Sequence, residues 1–320
     1  MRKANPIDFI SWKLNSFAMQ SVAHLYFLGH AGLAVQCEGT ELLIDPWMWS
    51  STLQQPLIRG LVPPAQTIDF FPSPARYQHS DFHPQIILIS NFETRHAPFA
   101  EIEAWALQNP LCLALPELDL EQGRWMLAAL KQEVYARMNF RFCLDGHVLH
   151  KGPFEIHAHF HPSPQHLIWE VSTEDFNILY IPNAPYSRAQ DPALLDICYE
   201  KFAKKKPDFL FLECQGRISK KISQDRKIIQ ENLSMTPIQA ARLAAHIQPR
   251  FVGVVGHFPL CYEKMQHDYF LPSQIVEDQF QWALNHLNPQ IKTMSLRSAF
   301  RFSVTKMTNA QQVKINLAID

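Results

Sequence analysis

Apolar residues recur along this chain in two rhythms. The stretch HLYFLGHAGLAVQCEGTELLIDPW (24–47) has the strand pattern. Val35 and Leu42-Leu43-Ile44 lie in two strands joined at Glu38-Gly39-Thr40, and the proline of Asp45-Pro46 stops the second. Ile86-Ile87-Leu88-Ile89 is a further strand, and short strands are expected at 140–144, 147–150, 154–160, 167–172, 177–181, 209–213 and 251–256. Segments 299–306 and 311–318 pattern as a closing hairpin. Helical spacing predicts helices over 99–109, 120–138, 235–247 and 273–287, with Trp125, Leu130 and Val134 in register along the second. The third has a strong start signal: Thr236 as N-cap, Pro237 at the first helical position and Gln239 completing a capping box. Residues 51–80, rich in Pro, Gln and Ser, read as a long loop. Strands dominate early, helices interleave, and polar residues gather just after strands. That is the pattern of an α/β layered sandwich. Residues 1–23 form an N-terminal arm whose Ile10, Leu14 and Phe17 fall on one helical face, and residues 24–320 form the body. The arm is expected to pack on the body, with a dimer or membrane-surface contact as the alternative.

Composition narrows this picture. The chain has 320 residues, 47% hydrophobic and 18% charged, enough for one large domain or two ordinary ones. The net charge of −1 gives no reason to expect a nucleic-acid partner. Locally, residues 201–227 hold nine Lys/Arg against Asp208, Glu213 and Asp225. They form either a solvated basic face or a collar that attracts an anionic substrate or ligand. Six scattered cysteines without a Cys-x-x-Cys pair read as reduced thiols of a cytoplasmic protein. No stretch is long and apolar enough to span a membrane. The seven tryptophans are mostly core by position, with Trp47 and Trp49 able to line a pocket mouth.

Chemistry concentrates where strands end. The run 86–89 stops at Ser90 and a polar knot follows: Asn91, Glu93, Thr94, Arg95 and His96. Other strand exits carry His30, Asp45, His161 with Asn183, and His257. His157, His159 and His161 alternate along one strand and so share a face, which is either the site or solvent. Cys214 and Cys261 end strands but would be nucleophiles only beside an imidazole. There is no glycine-rich phosphate loop, no Gly-x-Ser-x-Gly elbow and no Rieske cysteine–histidine pair.

The order and spacing of these exits resemble the metallo-β-lactamase fold superfamily, a four-layer αββα sandwich with metals at one edge of the sheets. LGHAGLAVQCEGTELLIDPW resembles its opening hairpin, IILIS with the knot its main motif, HFHPS its third motif, ILYIPNAP the segment that usually ends in Gly-Asp, and FVGVVGHF its last histidine. The Gly-His-Ala turn is similar to the lactonase-like branch. IDPW…LVPP and the segment MTPIQAARLAAHIQPRFVGVVGHFPLCYE resemble the branch of CMP-N-acetylneuraminate hydroxylase. By this resemblance Asp45 braces the main motif and His30 lies near the substrate mouth, as a proton donor or as a structural histidine.

The departures are as informative as the matches. Asn91 and Glu93 stand where the family has its first two motif histidines, and Arg95 where it has an aspartate. Asn183 replaces the bridging aspartate, while His96, His161 and His257 match. Asn is a weak ligand for zinc or iron and Arg is none. A guanidinium about 4 Å from a divalent cation would be repelled by roughly 8 kcal/mol at an effective dielectric of about 20. The two-metal centre is therefore not expected. Glu93, His96, His161 and His257 could instead hold one zinc, iron or manganese ion, with Asn91, His159 and Asn183 nearby. Alternatively no metal binds, and Arg95 either pairs with Glu93 or holds a phosphate or carboxylate in a bidentate fork. The expectation is a hydrolase, or an iron-dependent oxygenase, with His30, Asp45 and Arg95 in its catalytic apparatus. Its substrate would be small and anionic, or sugar- or nucleotide-derived. The alternative is a metal-free pseudoenzyme that binds an anionic ligand or a protein partner through Arg95 and the basic collar.

Overall fold

The computed structural model describes residues 21–29, 31–46, 79–91, 99–117, 130, 132–161, 166–182, 201–214, 235–256, 273–295, 301–309 and 312–319. Two sheets account for nearly half of them. The first runs in the order β15-β14-β1-β2-β3-β4-β5-β6. In chain order its strands are β1 (Ser21–Gly29), β2 (Gly32–Cys37), β3 (Thr40–Ile44), β4 (Ile86–Leu88), β5 (Leu111–Pro116), β6 (Met138–Cys143), β14 (Arg301–Asn309) and β15 (Gln312–Ile319). The second runs β13-β12-β11-β10-β9-β8-β7. Its strands are β7 (Val148–Lys151), β8 (Phe154–Phe160), β9 (Leu167–Ser172), β10 (Asn177–Ile181), β11 (Phe209–Glu213), β12 (Phe251–Val255) and β13 (Lys292–Met294).

Side-chain alternation builds three apolar layers from these sheets. Leu25, Phe27, Val35, Leu42 and Ile44 of the first sheet meet Ile156, Trp169, Val171, Tyr180 and Phe211 of the second in the central core. The opposite faces carry the remaining apolar residues. Leu43, Ile87 and Leu113 pack with Ile102, Trp105 and Ala106 of helix α1 (Phe99–Gln108) and with Val134 of the short α2 (Gln132–Tyr135). On the far side Ile168, Leu210, Leu212 and Val254 pack under α3 (Pro237–Ile247) and α4 (Ser273–Leu287). The result is helix, sheet, sheet, helix, the four-layer αββα sandwich. Parallel strands buried on both faces need apolar residues at nearly every position, which is why β4, β12 and β11 up to its closing Glu213 read as apolar runs.

Thr236 caps α3 as expected: its side chain accepts from the Gln239 amide at 3.3 Å, and the Gln239 side chain accepts from the Thr236 amide at 2.9 Å. The closing hairpin also forms, as β14 and β15, and β14 pairs antiparallel with β1 to bring the end of the chain beside its first strand. Two expectations are corrected. The helix read through to residue 138 ends at Tyr135, because Met138 is drawn into β6 by parallel pairing with Leu111. Trp282, read as core by position, is 62% exposed on the outer face of α4, its ring tilted by 44° to that of His286 with centres 4.4 Å apart. The described cysteines Cys37, Cys112, Cys143 and Cys214 are thiols, not disulfides. No helix among the described residues is long and apolar enough to cross a membrane.

Candidate functional site

Topology gathers the chemistry at one edge. β1 is antiparallel to β2 and β2 to β3, so β1 and β3 run the same way, and β4 is parallel to β3. Gly29, Asp45 and Asn91 therefore leave the first sheet at the same end. In the second sheet β8 and β10 share a direction through the intervening antiparallel β9, and β11 and β12 are parallel to β10. His161, Pro182, Glu213 and Gly256 thus follow strands that point one way. Carboxyl ends of parallel strands are where open α/β sheets place ligands.

Two sets of hydrogen bonds bring the ends of the two sheets together. The amide of Leu167, the first residue of β9, donates to the Ser90 carbonyl at 2.9 Å. Asp45 supplies the second connection. Its residue is 0% exposed, has a left-handed backbone (φ +44°), and donates its own amide to the Leu88 carbonyl at 2.9 Å. The carboxylate accepts the Ser90 amide at 2.7 Å, the Ser90 hydroxyl, and the Tyr180 hydroxyl of the second sheet at 3.0 Å. The same Tyr180 hydroxyl lies 3.3 Å from the Ala31 carbonyl. One buried network thus ties the exits of β1, β3 and β4 to β10. Hydrogen bonds to a carboxylate are among the stronger ones in proteins, and burial makes each costly to lose. These partners give Asp45 the bracing position anticipated from the sequence.

Asn91 follows Ser90 and is 1% exposed. His161 is also 1% exposed, and burial, then the neighbouring His166, push its pKa down to about 3. A neutral imidazole is the ligating form. The His161 amide donates to the His166 carbonyl at 3.2 Å, and the two rings lie with centres 5.7 Å apart, tilted by 46°. His159 is placed otherwise. Its Nε2 is 2.8 Å from the Glu170 carboxylate, its ring meets Phe202 edge-on, and Lys205 bonds both Glu170 oxygens at 2.8 Å. His157 pairs with Glu155 at 2.6 Å and stacks on His159. His157 and His159 share a face of β8 and engage carboxylates there, whereas His161 follows the end of the strand. Lys201 pairs with Asp145 at 2.9 Å, so two lysines of the basic stretch are joined to carboxylates of the second sheet or its turns. His30, Glu93, Arg95, His96, Asn183 and His257, with Trp47, Trp49 and Cys261, lie outside the described residues. Among the described residues no group of three or more His, Cys, Asp or Glu side chains is placed to hold an ion.

Two residues at this edge were not singled out from the sequence. His166 is one. Glu213 is the other: it is 0% exposed at the end of β11 and packs against Gly256. A Cβ built on Gly256 would fall 2.1 Å from Glu213 Cγ, and Gly256 also has φ +82°, so both space and backbone call for glycine. A single carboxylate closing the apolar run FLFLE was the available signal.

No family model matches the chain, and no curated protein matches its sequence. Its structure is similar to solved ones. It aligns to the metallo-beta-lactamase fold protein YhfI from Bacillus subtilis with a TM-score of 0.52 and 13% identity, over 86% of this chain and 96% of that one. An isothiocyanate hydrolase from Delia radicum gut bacteria aligns with a TM-score of 0.54 and 13% identity, over 85% and 95% of the two chains. CmlA, a diiron β-hydroxylase from Streptomyces venezuelae, aligns with a TM-score of 0.55 and 14% identity over 88% of this chain, which spans 54% of CmlA. The chain has the metallo-β-lactamase fold. At these identities the likeness speaks for architecture, not for activity.

Proposed function

We propose that this chain is a metal-dependent hydrolase with a rebuilt site that holds one ion, acting on a small anionic or sugar- or nucleotide-derived substrate. The observation that carries the reading is His161: a neutral, buried imidazole beside the exit of β4, at the edge where the strand ends converge. That donor fits zinc, iron or manganese, whereas the Asn91 amide does not replace an imidazole. By sequence position Glu93, His96 and His257 complete the set with His161. An ion held there would supply an acidified water and polarise the scissile bond. The chain's own residues would do the rest. Asp45 holds the main-motif strand, through Ser90, at a fixed distance from the second sheet. His30 would deliver a proton at the substrate mouth. Arg95 would orient the substrate's anionic group in a bidentate fork. An iron-dependent oxidation draws support from the likeness to CmlA, and hydrolysis is preferred because the hydrolase relatives align over nearly their whole length.

The test is element-resolved metal analysis of untagged protein purified without chelator and with iron kept reduced. Near one equivalent of zinc, iron or manganese is expected, with loss in Glu93→Ala and His257→Ala. Metal far below stoichiometry after reloading would refute the reading. It would favour a metal-free protein that binds an anion through Arg95, which Glu93→Ala should then leave intact or strengthen.

A further inference from the structure

We propose that His166 acts with His161 as an imidazole pair supplying two ligands to the same divalent ion. This rests on the metal-dependent reading above and names a ligand that the sequence motif does not contain. The geometry begins with the β8–β9 connection. Phe160 pairs with Leu167, and the His161 amide bonds the His166 carbonyl, so both residues stand at the mouth of one short loop. Their Nε2 atoms are both buried. The ring centres are 5.7 Å apart at an interplanar angle of 46°. Two imidazoles bound through nitrogen at neighbouring positions of one five-coordinate ion, with bonds of about 2.0–2.1 Å, hold their ring centres roughly 5 Å apart.

Position supports the same assignment. The loop mouth is joined to the main-motif strand by the Leu167-to-Ser90 hydrogen bond, so the pair sits beside Asn91 in the chain's folded order. Asn91 is where the resembled motif has an imidazole. A second histidine from the loop opposite restores an imidazole donor to that edge by a different route.

Cobalt(II) titration of the full chain, followed by its visible d–d absorption and by calorimetry, tests the pair without an activity assay. His161→Gln and His166→Gln keep a polar side chain of similar reach. Each should weaken cobalt by more than the roughly 10–100-fold that loss of an outer hydrogen-bonding partner costs. His166→Cys provides a positive signal that does not depend on a loss. It should add an intense near-ultraviolet sulfur-to-cobalt band over the spectrum of the unaltered chain. If the unaltered chain and His166→Gln bind cobalt equally while His161→Gln does not, and His166→Cys shows no sulfur band, the pair is refuted and the rebuilt site stands. If the two glutamine variants lose cobalt while Glu93→Ala keeps it, the pair stands and the ligand set proposed above falls. If the unaltered chain takes up no cobalt, both are refuted.

Discussion

Tyr180 is the point at which the second sheet grips the first, and removing its hydroxyl tests that grip. Tyr180→Phe keeps the ring, which is fully buried in the central core, and opens no space for a cavity. What it deletes is one hydroxyl, 3.0 Å from an Asp45 carboxylate oxygen and 3.3 Å from the Ala31 carbonyl. A hydrogen bond to a charged acceptor contributes about 1.5–3 kcal/mol. Asp45 retains the amide and hydroxyl of Ser90, so the loss stops at that one bond. Unfolding entropy of about 2.1 cal/mol/K per residue makes a loss of 1 kcal/mol shift a chain of 320 residues by roughly 1.5 °C, so Tm should fall by about 2–5 °C. Urea unfolding at unchanged m measures the free energy directly. Asp45→Asn is the partner for a double-mutant cycle, because Asn tolerates the left-handed backbone at this position. Coupling of about 1 kcal/mol or more between the two changes is expected. A Tyr180→Phe protein within about 0.5 kcal/mol of the unaltered chain, with no coupling to Asp45→Asn, would show that the two sheets are not fastened through this hydroxyl.

Three further outcomes follow from other buried groups. Gly256→Ala should destabilise by about 2–4 kcal/mol, combining the left-handed backbone cost with displacement of the Glu213 side chain, and Glu213→Ala should relieve part of it in a urea-unfolding cycle. Burial pushes the Glu101 carboxyl up to about 7, so the folded chain holds a proton that the unfolded chain releases. Its contribution is fully present below about pH 4.5 and is lost as pH rises through about 7, roughly 3 kcal/mol in all, and Glu101→Gln should flatten that limb of a stability–pH curve. Burial raises the Glu170 pKa but hydrogen bonds from His159 and Lys205 outweigh it, leaving it at about 2. That stabilisation is present above about pH 4.5 and disappears as pH falls through about 2, so acid unfolding of Glu170→Gln should lack a limb worth about 3 kcal/mol; an unchanged acid limb would disprove the His159–Glu170–Lys205 arrangement.

The sheets were legible because buried parallel strands need apolar residues at nearly every position. Runs such as Ile86–Ile89 and FLFLE are too short for a buried helix and too apolar for an exposed loop. The start of α3 was legible for a local reason: Thr236, Pro237 and Gln239 satisfy one another within four residues. The end of α2 was not, because what stops it is Met138 pairing with Leu111 from a different part of the chain. Trp282 reads as core by position, yet position along a helix does not say what covers that face. Glu213 disappeared into a count of charges along a basic stretch, since a charge count carries no burial. His166 was missed because the strand alternation that selected His157, His159 and His161 stops at the turn, and His166 lies beyond it.

The bracing network also shows how this edge can depart from the metal motif and keep its shape. The donors that hold the Asp45 carboxylate belong to the chain itself: the Ser90 amide and hydroxyl and the Tyr180 hydroxyl. These bonds run from residue to residue, so the positions of Ser90 and Asn91 relative to the second sheet do not depend on metal ligation. On the proposed metal-dependent reading, a change at position 91 would then alter binding at the ion without costing the scaffold. The buried Asn91 amide escapes the geometric demands of coordination and presents a donor and an acceptor in place of a single lone pair. On this account Asp45→Asn should lower stability in urea unfolding through the Ser90 and Tyr180 contacts it weakens, because those contacts hold the two sheets at this edge.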